Sequence, residues 1–213
     1  MSGHIFDLIR EGENEYLDFK HSITDSRKIA RSLVAFANTN GGKLLVGVRD
    51  NGGISGVKSD EEYYMVEAAA HLYCNPEMTF STETHNIKGK TVLEITIPKS
   101  FQNTYYARDK DNKWKVYIRV KDQNLLANRV LIKAWKQKQK KKGTFVRYTD
   151  KEKLLLDYLS DNHYITFSKF RKIARISPFK AERILINMLV LNLIDIVFTE
   201  NLTYYTLKQE SAV

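Results

Sequence analysis

The sequence predicts an α+β protein of two domains, a larger one that mixes helices and strands and a small C-terminal one. Helix, turn and strand signals follow one another closely between residues 29 and 50, and further strand-like segments continue to about residue 120. From residue 149 onward the apolar residues recur at helical spacing. A chain of 213 residues is long enough for two hydrophobic cores.

The clearest local signals lie in residues 29–50. Apolar residues recur there at helical spacing, and residues 38–42 (NTNGG) tolerate positive φ, so we expect a helix to end near Asn38. The following apolar run, 44–48 (LLVGV), predicts a strand buried on both faces. Gly47 interrupts this strand and indicates a place where backbone or ligand comes close. Asp25 or Ser26 is expected to cap the helix at its N-terminus.

A strand is also predicted over residues 16–20 (YLDFK), where alternation places Asp18 and Lys20 on one face. A carboxylate followed two residues later by lysine can hold a divalent metal and offset phosphate charge, as a metal-dependent nuclease requires. The alternative is an ion pair on a solvated strand face.

Aromatic and basic residues alternate in a predicted hairpin over residues 105–120. Tyr117 and Arg119 could stack on bases and hold phosphate, whereas cross-strand aromatic pairing is the alternative. A helix over residues 123–135, with Asn124 as a cap, is predicted to follow. Further strands are expected over residues 79–84 and 90–98.

Positive charge is concentrated in the C-terminal part of the chain. Residues 1–132 contain 18 Lys and Arg against 17 Asp and Glu, whereas residues 133–213 contain 16 against 8. Such a surplus attracts phosphate backbones, although it could also serve solubility alone. We expect a basic linker over residues 133–148, either a continuation of the preceding helix or a mobile segment, to follow the DNA backbone through Lys140, Lys141 and Lys142, and a solvated connector is the alternative.

Residues 149–213 read as helix, helix, helix, hairpin, which is the order of a winged helix-turn-helix domain. Ser177 and Pro178 form an N-cap followed by proline at the first helical position, so the third helix starts there. In this fold the start of the third helix enters the major groove. The candidate DNA-binding residues are Lys169, Arg171, Lys172, Arg175, Lys180 and Arg183. Winged helices also serve as protein-interaction modules and dimer contacts, which leaves a homodimer open.

Several classes of protein are disfavoured by composition. The longest apolar stretch is interrupted by polar residues and is too short to span a bilayer, so no membrane association is expected. The N-terminus lacks a secretion signal, and the single Cys74 cannot form an internal disulfide. A cytoplasmic location is therefore expected. The histidines are scattered and suggest no catalytic triad.

Five short motifs, taken in order, resemble the Schlafen-type AlbA_2 domain, also called the divergent AAA-4 domain. They are residues 12–13 (GE), 17–20 (LDFK), 36–42 (FANTNGG) and 47–52 (GVRDNG), with Gly56. The resemblance covers roughly residues 10–130, so a domain of mixed sheet and helices is assigned to residues 1–132. Bacterial proteins of this type often carry a winged helix after that domain and are described as DNA-binding transcriptional regulators.

The resemblance also implies two further activities. Some relatives are ribonucleases that cut structured RNA, and their acidic positions correspond here to Glu13, Asp18 and Asp50, which with Lys20 would use Mg²⁺ or Mn²⁺. Other descriptions of the domain mention ATP, although Gly41 and Gly42 lack the spacing of a phosphate-cradling loop.

A DNA-binding protein that acts as a transcriptional regulator is therefore the expected function, with duplex DNA as the partner. A metal-dependent nuclease acting on structured RNA or DNA is the alternative, and an ATP-binding sensor is a second one. Whether the protein is an enzyme is left open by the sequence.

Overall fold

A computed structural model of the protein describes residues 2–140 and 148–209. The chain divides into two compact units, Met1–Ala127 and Asn128–Val213. Among the described residues, no helix is long and apolar enough to cross a membrane.

The first unit is built on a four-stranded mixed sheet. Its elements are α1 Ser2–Glu11, β1 Leu17–Lys20, α2 Ser26–Asn38, β2 Gly42–Val46, α3 Glu61–Leu72, β3 Cys74–Asn75, β4 Ser81–Ile87, β5 Lys90–Ile97, β6 Tyr106–Arg108, β7 Trp114–Lys115, β8 Tyr117–Val120 and β9 Gln123–Leu126. The sheet has the order β1-β2-β5-β4. The first pair is parallel, and the other pairs are antiparallel. The predicted α+β class is confirmed.

Helix α2 begins and ends where its sequence predicts. Asp25 is the N-cap, and its carboxylate accepts a hydrogen bond of 2.9 Å from the backbone N–H of Arg27. After α2, Gly41 has a φ of 73° and donates its N–H to the carbonyl of Phe36 over 2.8 Å. A Cβ at Gly41 would lie 2.8 Å from the carbonyl oxygen of Ile97, so only glycine fits this turn.

The two faces of the sheet contact different helices because successive side chains of a strand alternate. Leu44 and Val46 belong to the larger core, which includes α2 and α3. Leu45 faces the other way and packs with Ile5 of α1. Gly47 follows β2 with a φ of 91°, and a Cβ there would lie 2.9 Å from the backbone of Gly56. The close backbone approach predicted at Gly47 is confirmed.

Residues 123–135 do not form the helix that we expected. Gln123–Leu126 is a strand that pairs with β8 in a two-stranded hairpin. The two-residue turn at Lys121, whose φ is 54°, closes this hairpin and fixes the register, which overrides the local preference for helix. The next helix begins at Arg129. Asn128 caps it, because its Oδ1 accepts a hydrogen bond of 2.9 Å from the backbone N–H of Leu131.

The second unit contains four helices and a two-stranded sheet. Its elements are α4 Arg129–Lys138, α5 Asp150–Asn162, α6 Phe167–Ala174, α7 Pro178–Val190, β10 Ile194–Phe198 and β11 Thr203–Leu207. Thr149, Thr166 and Ser177 cap the last three helices through their side-chain hydroxyls.

Helix α4 is part of the second unit, because Val130 and Ala134 are buried in the same core as the residues of α7. Residues 133–138, which we expected to begin a linker, therefore lie in a packed helix. The rest of the expected linker, apart from residues 139–140 and 148, lies outside the described residues.

Candidate functional site

Asp18 lies on the face of β1 that packs against α2. It is only 3% exposed, so the expectation of a solvated strand face is wrong. Its Oδ2 lies 2.9 Å from Lys20 Nζ and accepts a hydrogen bond of 3.4 Å from Ser32 Oγ. Its Oδ1 lies 3.4 Å from Arg119 Nη2. The expected pairing of Asp18 with Lys20 is present, but within a buried network.

Arg119 provides most of the donors in this network. Its Nε donates to the carbonyl of Asn14 and its Nη2 to the carbonyl of Leu17, each over 3.1 Å. Its Nη1 donates to Asn124 Oδ1, also over 3.1 Å. The guanidinium carbon lies 4.9 Å from the ring centre of Phe36. Arg119 thus joins β8 to the start of β1, to β9 and to α2.

Glu13 reaches the same network from a turn. Asn14 forms an isolated bridge with Leu17, so the chain folds back just before β1. Glu13 Oε1 then accepts a hydrogen bond of 2.9 Å from the backbone N–H of Phe19. Five residues apart on a straight strand, Glu13 and Asp18 would point to opposite faces, and the turn is what brings them together.

The two carboxyl groups have opposite pKa shifts. Burial, followed by the hydrogen bond to Asp18, raises the pKa of Glu13 from 4.5 to about 6. Burial acts to raise the pKa of Asp18 as well, but the hydrogen bond with Glu13 and the charges of Lys20 and Arg119 outweigh it. The pKa of Asp18 therefore lies below its ordinary value. Glu13 is therefore the weaker acid of the pair and Asp18 the stronger one.

Asp50 does not join this pair. It is exposed in the turn that follows Val48. In the part of the chain that the structure describes, the ligand atoms of Glu13, Asp18 and Asp50 do not all come within 4.8 Å of one another. The structure thus brings together Glu13, Asp18 and Lys20, and leaves Asp50 apart from them.

Two residues of the FANTNGG motif take part in long-range contacts that the sequence did not reveal. Asn38 Nδ2 donates to the carbonyls of Tyr105 and Tyr117 over 2.9 and 3.0 Å, and its Oδ1 accepts 2.8 Å from Tyr105 N–H. Thr39 Oγ1 accepts 2.8 Å from Arg119 N–H. Their position at a helix end was visible in the sequence, but their partners lie more than 60 residues away.

The prediction that Tyr117 and Arg119 contact nucleic acid has to be corrected, because these two residues are only 7% and 2% exposed. The Tyr117 ring lies 5.9 Å from the guanidinium of Arg31. The Trp114 ring lies at the same distance from that of Arg108. The aromatic residues of this region therefore contact arginines of the same unit.

The basic residues of the second unit are placed differently. The candidates on α6, on the turn after it and at the start of α7 are exposed, apart from Arg171, which is partly buried. The exposed ones are Lys169, Lys172, Arg175, Lys180 and Arg183. Lys140 is exposed after α4, whereas Lys141 and Lys142 lie outside the described residues.

Glu182 is the one acidic residue between Lys169 and Arg183 in the sequence. It is 8% exposed, and its Oε1 lies 3.0 Å from both Arg129 Nε and Lys133 Nζ of α4. The negative charge of Glu182 is therefore directed away from the exposed basic residues and is offset by Arg129 and Lys133 of the same unit.

Comparison with known proteins gives the family of the first unit. Residues 13–128, more than half of the 213 residues, match the sequence model of the family described as Schlafen, AlbA_2. The chain belongs to the Schlafen AlbA_2 family. The resemblance carried by the five motifs is confirmed, and the buried network lies within this AlbA_2 domain. Membership of the family points to a function related to nucleic acids. No curated protein matches the chain.

Two solved structures are similar to part of the chain. The crystal structure of the DIP2311 protein from Corynebacterium diphtheriae is 20% identical with a TM-score of 0.45, and the match covers 59% of this chain and 24% of that one. The solution structure of the N-terminal domain of a RecG-related protein from Nitrosomonas europaea, described by reference to an ATP-dependent DNA helicase, is 20% identical with a TM-score of 0.37. That match covers 53% of this chain and 80% of that domain.

Proposed function

We propose that this protein is a cytoplasmic transcriptional regulator that binds duplex DNA through its second unit. The proposal treats α5, α6, α7 and the β10–β11 hairpin as a winged helix-turn-helix, with α7 in the major groove. The observation that carries it is the run of exposed basic residues from Lys169 to Arg183, within which the only carboxylate is buried against α4. An exposed basic surface attracts a phosphate backbone.

The role of each basic residue follows from its position. Lys180 and Arg183 lie in the first two turns of α7 and are exposed, so they are the side chains for base edges or the adjacent phosphates. Lys169 and Lys172 of α6 contact phosphates beside the groove.

Replacing Lys169, Lys180 and Arg183 together by Ala tests the proposal. Binding of the full chain to labelled duplex DNA would be followed by fluorescence anisotropy over a range of salt concentrations. Each lost phosphate contact lowers the salt slope by about 0.9, so if all three residues contact phosphate the variant binds about 100-fold more weakly at physiological salt. Arg175 stays unchanged, so that the left-handed C-cap of α6 is not altered.

A matched control removes three exposed lysines from the first unit, Lys58, Lys110 and Lys113. It changes the net charge by the same amount, so it separates a local site from general attraction. Nearly wild-type binding by the control supports the proposal. Equal losses in the two variants would show that the charge acts only as a general attractor.

The second candidate is a metal-dependent nuclease in the AlbA_2 domain. The observation that favours it is that the turn before β1 brings Glu13 to the strand that carries Asp18 and Lys20. It ranks second, because Asp18 is buried and its oxygens already face Lys20, Ser32 and Arg119. Incubating structured RNA and DNA with the protein and Mn²⁺ tests this alternative. Cleavage that Glu13→Gln abolishes, without loss of DNA affinity, would establish it.

A further inference from the structure

The sheet face turned toward α1 holds a group of ionisable side chains that the proposed function does not use. Glu83 of β4 pairs directly with Glu94 of β5, so the two carboxylates lie on the same face. His85 is two residues along β4 and shares that face. His4 of α1 approaches from the helix that covers it.

The distances place these groups around one point. Glu94 is 2% exposed, and its Oε2 lies 2.8 Å from His85 Nε2 and 3.1 Å from His4 Nε2. Glu83 Oε2 lies 3.9 Å from His85 Nε2. The ligand atoms of Glu83, His85 and Glu94 all lie within 4.8 Å of one another. Two donors on one tetrahedral ion, each at about 2.1 Å, are about 3.4 Å apart, which lies within the observed range.

The two oxygens of Glu94 have overlapping sets of partners. Lys43 Nζ contacts Oε1 and also lies 3.4 Å from Thr96 Oγ1, while His85 Nε2 lies 2.8 Å from Oε2. His4 Nε2 lies 3.2 Å from Oε1 and 3.1 Å from Oε2. One ammonium offsets only one of the two carboxylates, and like charges directly opposite each other on neighbouring strands are destabilising. A divalent cation at Oε2 would remove this repulsion, and Lys43 would then hold the ligating carboxylate from outside.

We propose that Glu83, His85 and Glu94, joined by His4, form a binding site for a divalent transition metal of the Zn²⁺ type. Imidazole together with carboxylate favours such an ion over Mg²⁺ or Ca²⁺, which prefer oxygen ligands alone. His4 comes from α1 and the other ligands from the sheet, so the ion fastens this helix to β4 and β5. The site lies on the sheet face opposite to Asp18 and is independent of DNA binding.

The test uses the full chain without a histidine tag, freed of metal with a chelator. Zn²⁺ is added in competition with a chromophoric chelator, and Co²⁺ is added separately to follow its visible absorption. We expect one tightly bound ion per chain and slower hydrogen exchange in α1. His85→Ala should lower the affinity by more than about 100-fold, because even the outer partners of metal ligands contribute about 10- to 100-fold.

His71→Ala is the matched control, since His71 also pairs with a glutamate, Glu77, at 3.2 Å, but on the surface elsewhere in the unit. Its affinity should equal that of the wild type. Glu83→Ala keeps the test decisive if His85→Ala does not fold, because the Glu83 side chain is 76% exposed. It should lower the affinity by at least about 10-fold. Absence of binding in the wild type, or equal binding by the wild type and Glu83→Ala, would overturn the proposal.

Discussion

Replacing Arg119 by Ala should destabilise the first unit more than most single changes in this chain. The guanidinium is buried and donates to the carbonyls of Asn14 and Leu17 and to Asn124 Oδ1, and it also lies 3.4 Å from Asp18. Alanine would leave three acceptors without these donors and a buried carboxylate with one fewer positive charge.

The loss of unfolding free energy in Arg119→Ala can be estimated from the partners that the guanidinium leaves behind. Removing one partner of a buried ion pair costs about 3–5 kcal/mol, most of it from the charge left behind. Lys20 still offsets part of the Asp18 charge, so the lower part of this range, about 3 kcal/mol, is expected for the ion pair and its hydrogen bonds together. A domain is stable by only about 5–15 kcal/mol, so such a loss would be large.

Urea unfolding can report on the first unit alone. The chain has two tryptophans, Trp114 in the first unit and Trp135 in the second. In a Trp135→Phe background, the fluorescence of Trp114 follows the unit that contains Arg119. Arg49→Ala serves as the control, because Arg49 is exposed, and it should change stability by less than about 0.5 kcal/mol.

Two further variants separate charge from geometry. Arg119→Lys keeps the charge but cannot reach three acceptors with a planar fork, so it should recover only part of the loss. Asp18→Asn should cost less in the Arg119→Ala background than in the wild type, because the buried charge is then already uncompensated. If Arg119→Ala and Arg49→Ala unfold at the same urea concentration, the network does not stabilise the unit and our reasoning is refuted.

Three other changes test separate parts of the structure. The pKa of Glu13, raised from 4.5 to about 6, gives stability that is complete below about pH 4.5 and lost as pH rises through 6. Stability measured between pH 4.5 and 7 should therefore fall by about 1 kcal/mol more in the wild type than in Glu13→Gln. Asn38→Asp keeps the acceptor for Tyr105 but removes both donations, which should cost about 1–3 kcal/mol in urea unfolding. Arg183→Ala should flatten the preference found by selection from a random duplex library, since a bidentate base contact gives about 1–3 kcal/mol of discrimination; an unchanged preference would place base readout elsewhere.

The sequence predicted best what is decided locally. The cap at Asp25, the end of α2 near Asn38 and the start of α7 at Pro178 each depend on a few neighbouring residues. The strand around Leu44 was equally clear from its apolar run.

Contacts between distant residues were predicted less well. Arg119 looked like a surface residue because it alternates with aromatic residues, but its acceptors at Asn14 and Leu17 lie more than 100 positions away. The pairing of His85 with Glu94 was missed because strand β4 was expected to end at residue 84, three positions before its end at Ile87, which left His85 outside the strand. The register between β4 and β5 brings His85 next to Glu94, and this register cannot be read from a local sequence pattern.

Asp18 of the LDFK motif and Arg119 are directed inward in this chain, and this bears on where nucleic acid can bind. Asp18 contacts Arg119, which also donates to the backbone carbonyls of Asn14 and Leu17, so Arg119 is not available to a phosphate. A match to these motifs therefore predicts the fold of the first unit more directly than it predicts an activity. Affinity for a polyanion must come from charges that the fold leaves exposed, and the surplus of such charges lies beyond residue 132. Glu182 is the single carboxylate between Lys169 and Arg183, and it is buried. Arg129 and Lys133 of α4 form ion pairs with it, so its negative charge does not offset the exposed basic residues of α7.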